Sequence, residues 1–107
     1  MKLESKAKQY TEALFNVAVE SKSEKEVKDS LILFNDISKK SSEFRAFLLS
    51  KRISDSDKAK VVKEAFGKQC HPIVSEFVAL INGENPIKLF QLIQKYYDTK
   101  FADSMNL

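Results

Sequence analysis

Two glycines, two prolines, one cysteine and no tryptophan in 107 residues restrict this chain before any motif is considered. So few turn-forming residues leave little material for β-hairpins, whose tight turns need glycine or asparagine at positive φ. The lone Cys70 cannot close an internal disulfide and fits a reducing compartment. No apolar run approaches the ~18 consecutive residues of a membrane span, and the opening "MKLESKAK" lacks the apolar segment of a secretory signal. The chain is therefore expected to be cytosolic or to lie on the inner face of a membrane.

Catalytic groups are scarce as well. With one histidine, no glycine-rich phosphate loop and no Ser-His-Asp or Cys-His spacing, the sequence offers no convergent set of polar side chains, and an enzyme is not expected. Cys70 and His71 are adjacent and fall short of the three or four ligands that zinc requires, so they read as a helix-boundary pair. No metal, cofactor or catalytic residue is expected. Arg45 and Arg52 are the only arginines, and the net charge of +3 comes from 18 basic and 15 acidic residues spread along the chain. The densest basic segment, Lys39, Lys40, Arg45, Lys51 and Arg52, reads as a solvated rim rather than a phosphate-binding field. A small helical RNA-binding or antitermination-like module is the alternative, and it would require an arginine-rich face.

What is abundant is helix-forming material, and 107 residues fit one domain. The fold expected is all-α, a single compact bundle of about six helices spanning residues 1–107. The first helix runs from about Leu3 to Lys22. Ser23 and Glu26 form a capping box for the second, which carries Val27, Leu31, Phe34 and Ile37 at spacings of three and four to about Lys39. The serines at 41 and 42 start a short third helix with Phe44, Phe47 and Leu48 on one face. Ser54 with Asp57 starts a fourth, with Ala59, Val62, Ala65 and Phe66 as its stripe and Gly67 as a left-handed C-terminal cap. Pro72 opens the fifth helix, which ends at "NGEN", and Pro86 opens the sixth, with Phe90, Ile93, Tyr97 and Phe101 on one face.

The first helix carries more apolar surface than one neighbour can cover. Leu3, Ala7, Tyr10, Leu14, Val17 and Ala18 form a stripe about 100° wide, but Ala13 on one side and Phe15 with Val19 on the other extend it to roughly 240°. Helix five shows the same excess, with Ile73, Val74, Phe77, Val78, Leu80 and Ile81 covering about 160°. Either both helices lie centrally in the bundle, or their surplus lines a trough for an amphipathic partner helix anchored at i, i+3, i+4 and i+7. Phe15 and Val19 are expected to meet a second neighbour inside the bundle.

The order of "YTEALFNVA", "FRAFLLSKRIS", a Lys58-containing helix ending in "EAFG", then "FVALI" and "LFQLIQKYY" resembles the N-terminal domain of the δ subunit of F-type ATP synthase, counterpart of the mitochondrial oligomycin-sensitivity-conferral protein. The resemblance spans nearly the whole chain, with Thr11 where the family usually has alanine and Pro86 near its usual arginine. It implies a non-catalytic stator component that supports proton-driven ATP synthesis by holding the catalytic head against rotation. The implied partner is the N-terminal helix of an α subunit, gripped between helices one and five. Carried over position by position, the resemblance puts Tyr10 and Ala13 at the groove most directly, followed by Leu14, Val17, Val74, Phe77, Val78 and Ile81. It implies a further C-terminal domain that joins the b subunit of the peripheral stalk. The chain stops at "FADSMNL" without that domain, so stalk binding is expected to lie outside these residues. The implied location is peripheral, on the cytoplasmic face of a bacterial inner membrane. No membrane insertion or nucleic-acid partner is implied, and the isolated domain is expected to be monomeric.

Overall fold

A computed structural model describes residues 2–81 and 85–105. The chain forms α1 (Lys2–Glu20), α2 (Glu24–Lys40), α3 (Ser42–Leu49), α4 (Asp55–Phe66), α5 (Pro72–Leu80) and α6 (Pro86–Met105), with one 3-10 turn at Gly67–Gln69 before α5. No strand occurs among the described residues, and the all-α expectation of six helices holds. Most of the "NGEN" turn, at 82–84, lies outside the described residues.

The helices start where short polar side chains can satisfy their free N–H groups. Ser41 Oγ accepts from the Phe44 N–H at 3.1 Å, Ser54 Oγ from the Asp57 N–H at 3.2 Å, and Asn85 Oδ1 from the N–H groups of Ile87 and Lys88 at 3.1 and 3.2 Å. Gly67 ends α4 at φ +55°, a left-handed conformation that costs glycine little. The capping box expected at Ser23 does not form. The connection from α1 to α2 is so tight that Lys22 takes φ +56°, and the Ser23 hydroxyl pairs with Ser21 Oγ at 2.5 Å instead. Ser21 Oγ is itself occupied at the end of α1, donating to Val17 O at 2.9 Å.

Cations close two helix C-termini, where unpaired carbonyls and the helix dipole both favour positive charge. Arg45 Nη1 donates to Ser38 O at 2.9 Å and Lys39 O at 2.8 Å, at the end of α2. Lys58, only 8% exposed, donates from Nζ to Leu48 O at 2.8 Å, at the end of α3. Lys58 thus belongs to the buried face of α4 with Val62 and Phe66, whereas Ala65, expected there, is exposed.

Packing centres on α6, which lies along both α1 and α2, while α5 lies along α4. Phe34 of α2 is fully buried and meets Phe44 of α3 at 5.4 Å, Phe66 of α4 at 6.2 Å and Phe90 of α6 at 4.3 Å between ring centroids. Buried polar groups are held by short bonds. Tyr97 OH donates to Glu24 O at 2.7 Å, and Asn35 Nδ2 donates to Phe90 O at 3.0 Å and Gln94 Oε1 at 2.7 Å, tying α6 to α2. Burial, reinforced by the Glu24 and Glu26 carboxylates, pushes the Tyr97 phenol upward and keeps it a donor. Thr11 and Ser38, both in the core, return their hydroxyls to Ala7 O at 2.6 Å and Phe34 O at 2.9 Å.

Because Phe34 contacts rings from three other helices, Phe34→Ala is expected to lower unfolding free energy by about 3–5 kcal/mol in urea titration. An effect below about 1 kcal/mol would mean that the four-ring junction does not set stability.

Candidate partner-helix trough between α1 and α5

Helix α1 divides its apolar surface into three strips. Ala7, Thr11, Leu14 and Ala18 are buried at spacings of four, three and four and face the core. On one flank, the Phe15 ring meets Tyr97 edge-on at 5.4 Å, under Lys100, whose Nζ also pairs with Glu12 at 2.8 Å. That flank is filled by α6. Val19, expected to share it, is 46% exposed.

The opposite flank is open. Tyr10 is half-buried, Ala13 is exposed and Val17 is 42% exposed, so three residues spaced i, i+3 and i+7 run along one edge of α1. Across from them, the Tyr10 ring meets Phe77 of α5 edge-on with centroids 6.0 Å apart, and Tyr10 OH donates to Leu80 O at 3.4 Å. Leu80 is 57% exposed. Helix α1 lies mainly along α6 and α5 mainly along α4, and Tyr10 links the two. At 100° per residue, Ile73, Phe77 and Leu80 fall on one strip of α5, toward Tyr10.

The other expected positions are used differently. Leu14 and Val74 are completely buried by their own chain. Val78 and Ile81, each 4% exposed, lie round α5 from the Tyr10 side and line a concavity of about 540 Å³ with Leu48, Leu49, Ile53 and Lys58. These four side chains are core or belong to the α3–α4 side of α5 and do not form the open surface beside α1. Phe77, 6% exposed, is the floor under Tyr10. Leu80, outside the expected set, lies near Phe77 on the α5 wheel and is exposed. Of these residues, Tyr10 meets Phe77 and the Leu80 carbonyl, while Ala13 and Val17 continue the exposed edge of α1.

Elsewhere the polar groups serve structure. The His71 imidazole caps α5 at 3.2 Å from the Ile73 N–H, and Cys70 is buried beside it. No group of three His, Cys, Asp or Glu side chains that could hold a metal occurs among the described residues. Burial pushes the Cys70 thiol from the ordinary value near 9.0 up to about 11, partly offset by a hydrogen bond with Ser30. The basic segment is also dispersed: Arg45 is engaged at the end of α2 and Lys40 pairs with Asp36 at 3.1 Å.

This architecture is an all-α bundle that leaves Ala13, Val17 and Leu80 uncovered beside the Tyr10–Phe77 contact. Residues 7–107 match the family model described as ATP synthase delta (OSCP) subunit, and the chain belongs to that family. It is similar to the protein named ATP synthase subunit delta, chloroplastic, of Cyanidium caldarium, with 29% identity over 89 residues, 83% of this chain and 49% of the relative. The chain thus spans about half the length of that relative. No solved structure matches it.

Two consequences can be measured. Leu80→Ser and Val17→Ser, at exposed positions, are expected to change unfolding free energy by no more than about 0.5 kcal/mol, whereas Leu14→Ala should cost about 2–5 kcal/mol. Equal losses at all three sites in chemical denaturation would show the trough edge to be core. The raised pKa of the Cys70 thiol also makes stability alkali-sensitive. The unfolded thiol ionises first, so the contribution is complete below about pH 9 and declines as pH rises toward about 11. Cys70→Ala should flatten that decline, and an unchanged slope between pH 9 and 11 would exclude Cys70 as its source.

Proposed function

We propose that this chain is the head-binding part of an ATP synthase stator: a non-catalytic domain that grips an amphipathic helix from the N-terminus of an α subunit in the α1–α5 trough. Membership of the δ (OSCP) family supports the stator assignment. The observation that carries the helix-binding reading is the apolar edge left uncovered beside the Tyr10–Phe77 bridge, with Val17 at 42% and Leu80 at 57% exposure. A visiting helix would cover Ala13 and Val17 with its own apolar stripe, and the small Ala13 side chain allows close approach of the two backbones. Tyr10 offers a ring face and a hydroxyl to the same visitor.

In this reading the domain catalyses nothing and takes no cofactor. The peripheral stalk b subunit would be held outside residues 1–107. The domain would be peripheral, held through the complex at the cytoplasmic face of a bacterial inner membrane. Among the described residues no helix is long and apolar enough to cross a membrane.

The RNA-binding alternative calls for an arginine-rich face, and of the two arginines Arg45 already gives Nη1 to the Ser38 and Lys39 carbonyls. RNA affinity falling steeply with salt would restore it, because phosphate contacts release counterions.

Titration with a peptide of the α-subunit N-terminus is expected to give saturable binding that changes little with salt. Ala13→Trp should weaken it by at least about tenfold, since a ring at that position fills the space a partner backbone needs. Equal affinity for both proteins, with the variant folded by circular dichroism, would remove the trough as the binding site.

A further inference from the structure

His71 caps α5 with its imidazole. Nδ1 accepts from the Ile73 N–H at 3.2 Å, the His71 carbonyl accepts from the Val74 N–H at 3.0 Å, and the His71 N–H donates to Ser30 Oγ at 2.7 Å. Ser30 Oγ in turn donates to Glu26 O at 2.7 Å, which anchors the start of α5 on α2. Pro72, the first residue of α5, has no N–H. Ile73 therefore carries the first free donor of the helix, and the imidazole satisfies it.

That cap works in one protonation state only. A neutral imidazole has one ring nitrogen with a free lone pair, whereas an imidazolium has donors on both and cannot accept from Ile73. Protonation would also put positive charge at the positive end of the α5 dipole. The surroundings offer the charged ring another position. His71 lines a concavity of about 450 Å³ with Glu26 and Asp29 from α2, Lys63 from α4, and Lys68 and Cys70 from the α4–α5 connection. The carboxylates attract an imidazolium and the ammonium groups repel it, so the charged ring is drawn toward α2.

We propose that His71 is a pH-operated catch on α5. Neutral, it holds the first turn of the helix closed. Protonated, it releases the Ile73 N–H and turns toward Glu26 and Asp29, freeing the N-terminal turn of the wall that carries Phe77 and Leu80. The regulatory consequence, a weaker grip on a partner helix in acid, rests on the trough reading above. The catch itself does not.

Hydrogen exchange of the Ile73 amide, corrected for the intrinsic rate at each pH, reads the catch directly in the 107-residue chain without any partner. Protection is expected to fall about fivefold between pH 7.5 and 5.5, the population change that loss of an N-cap produces. His71→Asn, which caps through a side-chain oxygen that does not titrate, should show no such fall, with His71→Ser as a second non-titrating cap if the first variant folds poorly. Glu26→Gln combined with Asp29→Asn should move the midpoint of the loss to lower pH. Protection that is constant in the natural chain, or that falls equally in both capping variants, overturns the proposal. The α-subunit N-terminal peptide should lose affinity by the same factor in acid for the natural chain but not for His71→Asn. A pH-sensitive Ile73 with no peptide binding at either pH refutes the trough and leaves the catch standing. Peptide binding with a pH-indifferent Ile73 refutes the catch and leaves the trough.

Discussion

The ring of Phe34 is where the helices of this protein are made to converge. It is fully buried on α2 and touches phenylalanines from α3, α4 and α6, so removing it from water requires all four helices to be in position at once. Each edge-on or tilted ring pair adds roughly 0.5–1.5 kcal/mol beyond the area it buries. A chain with one cysteine and no metal cluster among its described residues relies on such packing for its stability. Around this junction the Asn35 and Tyr97 hydrogen bonds hold α6 against α2 in one register, since a shifted register would leave those buried groups unpaired at a cost of about 1–3 kcal/mol each.

The trough follows from this frame. Helix α1 packs mainly along α6 and α5 mainly along α4, so both are fixed by neighbours other than each other. The space between them is spanned by Tyr10 against Phe77 and left apolar on either side. Each helix is anchored in the core by its other face, α1 through Leu14 and α5 through Val74 and Val78.

Charge serves the same frame. Arg45 and Lys58 close the C-termini of α2 and α3, and Lys100 pairs with Glu12 across α6 and α1. These contacts explain why a net charge of +3 makes no concentrated basic face. Part of it is already engaged with carbonyls and carboxylates of the chain itself.

Helix number, helix type and most helix starts were legible in the residues, because periodicity and capping act within one turn. Ser41, Ser54, Pro72 and Asn85 each begin a helix through contacts three residues or fewer away. The excess apolar surface of α1 and α5 was legible too, as was the family resemblance. The division of that excess was not. Leu14 and Val17 are both apolar and three residues apart, yet one is wholly buried and the other 42% exposed. Val78 and Leu80 differ in the same way on α5. The failed capping box at Ser23 has a related origin, since its hydroxyl was claimed by the turn that packing imposed on α1 and α2. Sequence alone determined that this chain would be an all-α bundle with two helices too apolar for a single neighbour. Only the tertiary structure decided which side chains remain uncovered, because exposure depends on where distant helices come to rest.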